Sequence, residues 1–328
     1  MRAPARLALY GLLLVAVFAA AGFTANAVIS EDTVQAWAEE TPEGHGSGHG
    51  EEDMNSGGHE GHEAETSSLG LGLATGGYQL TSVNAPTGTG GEGELAFAVT
   101  DPEGNQVTDF ELDHEQEMHL IVVRADGQHF AHVHPERNQD GLWSIPWQWE
   151  AAGTYRVFAD FVPTDNGEGL TLSTTVQVTG DYEPAPVAQA AQTTVEGFDV
   201  VVEGDLVAGS ASELTFTITR DGQPVTTLEP YLGAFGHLVA LRDGDLAYLH
   251  VHPHGDTPRA GQTSGPEIVF EATAPTPGRY LLYLDFQVEG QVYTAPLVID
   301  TAGNDGDGPS TGDEHDQDDH EEGTGDDH

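Results

Sequence analysis

The sequence of 328 residues contains no cysteine and no lysine, and all nine of its basic residues are arginine. Without cysteine the chain forms no disulfide, no thiolate zinc site and no iron–sulfur cluster. The absence also excludes the blue-copper ligand set, which requires a cysteine. Any metal ion must therefore be bound by histidine, carboxylate, methionine or backbone oxygen.

Positive charge is scarce throughout the chain. The 55 acidic residues outnumber the nine arginines and give a formal net charge of −46. Such a surface repels nucleic acid and anionic lipid, so we expect neither as a direct partner. Two compatible explanations fit this composition: the charge keeps the protein soluble in a salty medium, or it attracts cations.

Three histidines occur twice in the chain at the same relative positions. The first copy contains His119, Arg124, His132, His134 and Pro135. Adding 118 to each number gives the second copy: His237, Arg242, His250, His252 and Pro253. The chain therefore contains an internal duplication. Three imidazoles that can be brought together are the usual ligands of a transition-metal site.

Each copy has the pattern of a β-hairpin. If Asp126 and Gly127 form a two-residue turn, the numbers of paired residues sum to 253. His119 then lies opposite His134, and His132 lies on the same face of the sheet because the side-chain period of a strand is two. Opposed Cβ atoms are about 4.5–5.5 Å apart, which allows the rings to reach one ion.

The second copy predicts the same arrangement. Its turn at Gly244-Asp245 makes paired numbers sum to 489, so that His237 lies opposite His252 and His250 lies on the same face. The sequence thus predicts one three-histidine metal site in each half of the chain.

Further candidate ligands lie near these histidines. Asp160 and Asp285 occupy equivalent places in a second repeated strand. If that strand neighbours the His119 or His237 strand, the carboxylate is a fourth ligand or a partner that fixes a histidine tautomer; the alternative is a bond to loop backbone. Candidates found in one copy only are Met118, His114 and His254. Strict alternation points Met118 away from His119, although a thioether would favour copper, especially Cu(I).

The chain divides into six segments. Residues 1–29 are predicted to be a signal peptide or membrane anchor, with a slight preference for an uncleaved anchor, which places the body outside the cytoplasm. Residues 30–68, rich in histidine, glycine and glutamate, and residues 301–328, acidic with three histidines, are predicted to be disordered. Two β-rich domains, 69–182 and 195–300, are joined by a linker at 183–194.

Both domains are predicted to be all-β. Short strands alternate with turn residues, and about seven strands in some 110 residues fit an immunoglobulin-like β-sandwich. In each domain a Gly-x-Tyr segment, at Tyr155 and at Tyr280, opens a late strand. We interpret both tyrosines as tyrosine corners rather than ligands.

The duplicated histidines and the His-containing flanks favour an extracytoplasmic protein that binds, buffers or delivers a transition metal. Nitrogen ligands with a carboxylate suit Cu(II) or Zn(II), and copper is favoured by the Irving–Williams order. A membrane metal transporter or a metalloenzyme is the expected recipient. The sequence carries no convincing nucleophile motif, phosphate loop or acid–base pair, so we do not expect an enzyme.

Two alternatives stay open. The chain fits a structural or adhesive surface protein whose histidines serve packing or respond to pH, because imidazole titrates near neutrality. A weaker alternative is a zinc enzyme with three histidine ligands.

Two segments carry a resemblance to known proteins. Met118-His119 through Arg124 with His132-Val-His134-Pro135, and Tyr231 through Arg242 with Leu249-His250-Val-His252-Pro253, resemble a family of largely uncharacterised bacterial envelope proteins with a membrane segment and a His-rich linker. The resemblance covers roughly residues 75–300 and implies two tandem domains. More distantly, the architecture is similar to periplasmic copper-binding sandwiches of the CopC type and of the iron-uptake-associated type. These place histidine, and often methionine or carboxylate, at one end of the sandwich.

Overall fold

A computed structural model of the protein describes residues 69–185, 187–249, 251–255, 257–259 and 261–302. Every regular element in these ranges is a β-strand, as the all-β prediction required. The predicted membrane segment, the His-rich linker, nearly all of the acidic tail and the predicted ligand His250 lie outside the described residues. The described ranges contain no helical segment that could span a lipid bilayer.

The first domain is a sandwich of two sheets. Its strands are β1 (Ala74–Thr75), β2 (Tyr78–Asn84), β3 (Gly93–Thr100), β4 (Phe110–Glu111), β5 (His119–Arg124), β6 (Ala131–Val133), β7 (Glu136–Arg137), β8 (Trp143–Trp147), β9 (Gly153–Pro163) and β10 (Leu170–Val178). One sheet has the order β1-β2-β3-β8-β7. The other has the order β10-β9-β5-β6, with β4 also paired to β9.

The second domain repeats this architecture. Its strands are β11 (Gln192–Val195), β12 (Phe198–Glu203), β13 (Ala211–Arg220), β14 (Gln223–Pro224), β15 (His237–Arg242), β16 (Tyr248–Leu249), β17 (Val251–Pro253), β18 (Glu267–Thr273), β19 (Arg279–Val288) and β20 (Gln291–Asp300). The sheets have the orders β11-β12-β13-β18-β17, with β14 on β13, and β16-β15-β19-β20. Strand β11 begins inside the stretch that the sequence assigns to the linker.

Strand β5 is buried on both faces, which explains its unbroken apolar run. Leu120 and Val122 point into the core between the two sheets of the first domain. Ile121 and Val123 point the other way, into a second apolar cluster. Full burial of one such side chain contributes about 1.5–3 kcal/mol. The strand is therefore held from both sides, and His119 at its first position is fixed with it.

That second cluster joins the two domains. The sheet containing β5 and β9 contributes Ile121, Val123 and Phe158, and the sheet containing β15 and β19 contributes Val239, Leu241, Leu281 and Tyr283. The ring of Tyr283 stacks on Phe130 with centroids 3.9 Å apart. Its hydroxyl donates a hydrogen bond to the Gly127 carbonyl oxygen at 2.6 Å. The two sandwiches thus pack sheet against sheet.

Both predicted strand pairings are confirmed, but neither turn is the predicted two-residue turn, since Arg124 N donates to Gln128 O and Arg242 N donates to Ala247 O. Strand β5 pairs with β6 through Leu120–Val133, Ile121–His132 and Val122–Ala131, and each pair sums to 253. Strand β15 pairs with β16 through Ala240–Leu249 and Leu241–Tyr248, which sum to 489.

The second hairpin is shorter than predicted. The expected pairing of His237 with His252 is wrong, because β17 pairs with β18 and sets His252 opposite Glu271. Because β17 is hydrogen-bonded to β18 in the other sheet, it does not continue the pairing of β16 with β15. The equivalent change of sheet in the first domain comes after His134, at β7, which pairs with β8.

The tyrosine-corner interpretation is also confirmed. Tyr155 and Tyr280 are buried in the two domain cores. Each hydroxyl donates to a backbone carbonyl four residues upstream, Ala151 at 2.9 Å and Thr276 at 2.7 Å. Neither tyrosine is available as a ligand.

Candidate metal centre

Three histidines of the first domain converge at the edge of the domain interface. One ring nitrogen from each of His119, His132 and His134 lies within 4.8 Å of the others. His119 Nδ1 is 3.0 Å from His132 Nε2 and 3.2 Å from His134 Nε2. The confirmed register of β5 and β6 produces this cluster, called the triad below, because it puts all three side chains on one face of the sheet.

The outer nitrogens of two triad rings have partners that fix the tautomer. His119 Nε2 lies 3.1 Å from the backbone oxygen of Asp113, which only accepts, so this nitrogen carries the proton. His132 Nδ1 donates in the same way to the Asp285 carboxylate at 2.8 Å. When both rings are neutral, the two inner nitrogens, His119 Nδ1 and His132 Nε2, therefore both carry lone pairs.

Burial keeps the rings of His119 and His134 neutral. Burial and, to a smaller extent, the neighbouring His132 together lower the pKa of His119 to about 4. The pKa of His134 falls to about 3, mainly through burial and then through His132 and His119. Neutral imidazole is the form that binds metal, and here it persists well below neutral pH.

The carboxylate that orients His132 comes from the other domain. Asp285 lies on β19 and is 3% exposed, and its other oxygen accepts from Thr294. Asp285 is the register partner of His237 in its own domain, as the repeated strand predicts. Its carboxylate nevertheless accepts its hydrogen bond from His132 of the other domain. The outer faces of the two sheets pack together, so this side chain reaches across the interface.

Asp160 does not replicate that role within the first domain. It is the register partner of His119, but one of its oxygens accepts a hydrogen bond from Thr171 at 2.8 Å. It is also hydrogen-bonded to Tyr248 of the second domain, whose pKa is raised well above its ordinary value, chiefly by burial. The two aspartates thus make reciprocal contacts across the interface.

The second copy reproduces part of the arrangement. His237 Nε2 donates to the backbone oxygen of Tyr231 at 2.8 Å, as His119 does to that of Asp113, and 113 plus 118 is 231. Burial lowers the pKa of His237 to about 4. His252 is exposed on β17. Within the described residues, the triad is the one group of three or more such side chains whose ligand atoms converge.

The remaining candidates lie in different surroundings. Met118 is 1% exposed and belongs to the apolar core of the first domain, on the side away from His119. His254 lies 3.7 Å from Glu213, and both are exposed. The ring of His114 is nearer to His237, at a centroid distance of 4.9 Å, than to His119, at 6.4 Å.

Sequence reasoning missed the groups that orient the triad. The carbonyls of Asp113 and Tyr231 are backbone atoms, and the two residues share no side-chain chemistry, so residue identity gave no signal. The offset of 118 would have paired their turns, Asp113–Gln116 and Tyr231–Ala234. The Asp285–His132 contact lies between domains and has no local sequence pattern.

Two segments of the chain, residues 74–180 and 193–303, match the family model described as "Domain of unknown function (DUF8832)". The match to both halves confirms the internal repeat. No protein with a curated description matches the sequence. The resemblance to copper-binding sandwiches has no counterpart in these matches.

Several solved structures are similar over most of the chain. The Yersinia pseudotuberculosis adhesin InvE is 14% identical over 70% of this chain and 60% of its own, with a TM-score of 0.22. A putative membrane anchored protein from Corynebacterium diphtheriae is 12% identical over 68% and 59%, with a TM-score of 0.20. A conserved domain protein from Bacillus anthracis is 9% identical over 76% and 95%, with a TM-score of 0.25. The chain thus spans about three fifths of the first two proteins, and TM-scores this low support no conclusion about its function.

Proposed function

Since the chain belongs to the DUF8832 family, whose description assigns no activity, we propose a function from the site itself: the protein binds a transition metal ion at His119, His132 and His134. The proposal rests on one observation. When both rings are neutral, two inner nitrogens 3.0 Å apart carry lone pairs, because the outer nitrogens of His119 and His132 donate to Asp113 and Asp285. Two lone pairs this close repel each other, and a bound cation turns the repulsion into attraction.

The third ring completes a ligand set open to solvent molecules. His134 Nε2 is the third ligand atom and lies 3.2 Å from His119 Nδ1. Three neutral nitrogens leave at least one position for water or another ligand. Nitrogen donors of this kind suit Cu(II) and Zn(II), and Cu(II) binds more tightly. The burial of Met118 in the core removes the thioether that would favour Cu(I).

We place this binding outside the cytoplasm. The predicted membrane segment and the His-containing flanks support a protein that collects metal ions at an envelope, holds them and passes them to a transporter or metalloenzyme. The net charge of −46 supports the same role, because a negative field raises the local concentration of cations.

A second candidate function is structural or adhesive, and the location of the histidines favours it. The triad lies at the edge of the contact between the two sandwiches, and the His132–Asp285 hydrogen bond crosses that contact with both side chains about 5% exposed. In this candidate the histidines fasten two domains of a surface protein, and no ion is needed.

One experiment separates the two functions. The full-length chain is titrated with Cu(II) and Zn(II) beside His132→Ala and the control His129→Ala, whose exposed ring lies by Glu150 outside the triad. The thermal unfolding of each protein is recorded with and without the ion. The His-containing flanks contribute equally to all three proteins.

Metal binding predicts that the wild type and the control are stabilised by the ion, by about 2.7 kcal/mol at a hundred times Kd. His132→Ala loses that stabilisation. The structural function predicts that His132→Ala unfolds at a lower temperature without metal, and that the ion shifts all three proteins equally. An equal shift of all three proteins by the ion would contradict the metal proposal.

A further inference from the structure

A cavity of about 320 Å³ lies between the two sandwiches, next to the triad. Five histidines from both domains line it: His114, His119, His132, His237 and His252. The triad accounts for two of them. The other three lie on the remaining walls and have no role in the function proposed above.

His114 and His237 face each other across the domain interface. Their ring centroids are 4.9 Å apart and their planes are nearly perpendicular, at 85°. The rings of the triad are separated by 5.0, 5.1 and 5.3 Å, and the His119–His134 pair has nearly the same angle, 84°. The interdomain pair therefore has the spacing of rings that already converge on one point.

His237 is prepared as a ligand in the same way as His119. Its Nε2 donates to the Tyr231 carbonyl, so Nδ1 carries the lone pair. The side chain is buried, which excludes competing water from one side. Burial, with a smaller contribution from the proximity of His114, lowers the pKa of His237 to about 4, so the His237 ring is a neutral ligand near neutral pH.

The turn that contains His114 has an unfavourable backbone conformation. His114 and Glu115 have φ values of +45° and +65°, where residues other than glycine are uncommon. The equivalent turn of the second domain has Leu232 at +51°, followed by Gly233. The first domain thus carries a histidine, at a strained position, where its repeat carries a leucine.

We propose that this cavity binds a second transition metal ion, held by His114 from one sandwich and His237 from the other, with His252 on the same wall. The class of ion is taken from the proposed function of the triad, on which this proposal therefore rests. It is a borderline divalent cation such as Cu(II) or Zn(II). Two firm nitrogen ligands bind more weakly than three, so this ion is released first. Because each domain supplies a ligand, its binding also fastens the two sandwiches together.

The test compares how many Zn(II) ions the full-length chain retains in a zinc-buffered dialysis. His114→Leu is the first variant, since Leu232 shows that the equivalent turn tolerates leucine at a similar φ. His237→Gln is the second, because its amide can still donate to the Tyr231 carbonyl. His129→Ala is the control, and His132→Ala reports on the triad.

The expected result is that His114→Leu and His237→Gln each retain one ion fewer than the wild type and the control. His132→Ala loses a different, tighter ion and keeps the weaker one. If His114→Leu retains as many ions as the wild type, the second site is overturned. Loss of an ion in His114→Leu with none lost in His132→Ala would support the second site while contradicting the triad, so the two failures are distinguishable.

Discussion

At the scale of single residues, the position of one proton on each ring decides what the triad can do. A carbonyl and a carboxylate hold the protons of His119 and His132 on the outer nitrogens. Such outer partners orient a ligand and raise its basicity, and their loss typically costs 10- to 100-fold in metal affinity. In the proposed metal site, the carboxylate of Asp285 is therefore a positioning group that contributes no ligand atom.

Substitution of Asp285 tests this role. Asp285→Ala is expected to weaken Cu(II) or Zn(II) binding about 10- to 100-fold. Asp285→Asn is expected to weaken it less, because an amide oxygen still accepts the His132 proton but lacks the charge. Competition titration measures both. The control is Asp160→Asn, which alters the equivalent carboxylate beside Thr171 and Tyr248. Equal affinities in all four proteins would contradict the role of Asp285.

The neutral buried rings also predict a pH dependence for the metal-free protein. The pKa of His119 is about 4 in the native chain, against an ordinary value of 6.5. Between these values the unfolded chain binds a proton that the native chain does not, so stability falls as pH decreases from 6.5 to 4. His119 alone contributes a loss of roughly 3 kcal/mol.

Denaturant unfolding in metal-free buffer at several pH values measures this loss. His119→Gln should flatten the curve between pH 6.5 and 4, since it removes the titrating group. A wild-type stability that is constant across this range would show that the ring is not buried in its neutral form.

At the scale of elements, two sheets pack through their outer faces, and this contact builds the site. Phe130 after the first hairpin turn stacks on Tyr283 of β19, and Tyr283 donates to Gly127 in that turn. Stacked aromatic pairs contribute about 0.5–1.5 kcal/mol beyond the area that they bury. The first hairpin is thus fastened to the second domain at both its turn and its histidine end.

A double-mutant cycle of Phe130→Ala and Tyr283→Ala measures this contact between domains. We expect a coupling energy of about 1 kcal/mol in the free energy of unfolding, because each substitution removes the same stacked pair. Strictly additive effects on the free energy of unfolding would mean that the Phe130–Tyr283 contact contributes no coupling energy. Chemical denaturation of the metal-free protein provides the values.

How far the sequence predicts the structure depends on the range of the interaction. The paired residues of both hairpins have the sums predicted from Asp126-Gly127 and from Gly244-Asp245. The turns themselves are longer than the two residues predicted, so the turn type is wrong although the strand pairing is right. The end of the second ladder does not follow from the sequence, since β17 is bonded to a strand of the other sheet.

The sequence does not predict the contacts between the two domains, for a related reason. Alternation identifies which side chains of β5 point to each face, but both of its faces are apolar. Nothing in the local pattern indicates that one face covers a second domain. Asp285 was singled out by its place in the repeat, and only the packing of the sheets shows which histidine it contacts.

At the scale of the whole molecule, the net negative charge attracts cations and repels anions. A surface with 55 acidic and nine basic residues draws divalent cations toward the domains. The effect is long-ranged in dilute buffer, where the Debye length is about 30 Å at 0.01 M, and short-ranged at 1 M, where it is about 3 Å.

The rate of metal uptake should therefore depend on salt. We expect the association rate constant of Zn(II) with the full-length chain to fall at least several-fold between these ionic strengths, while the dissociation rate changes little. Stopped-flow measurement with an inert salt tests this. An association rate that does not change with salt would leave solubility as the explanation for the charge.

The most direct test of the central claim is to locate the ion. Anomalous diffraction at the zinc or copper edge, from crystals of the protein grown with the metal, gives its position and its ligands. We expect a peak about 2.0–2.1 Å from His119 Nδ1, His132 Nε2 and His134 Nε2, with Asp285 still bonded to His132 Nδ1. A triad without a peak, or an ion bound through His119 Nε2 or His132 Nδ1, would contradict it.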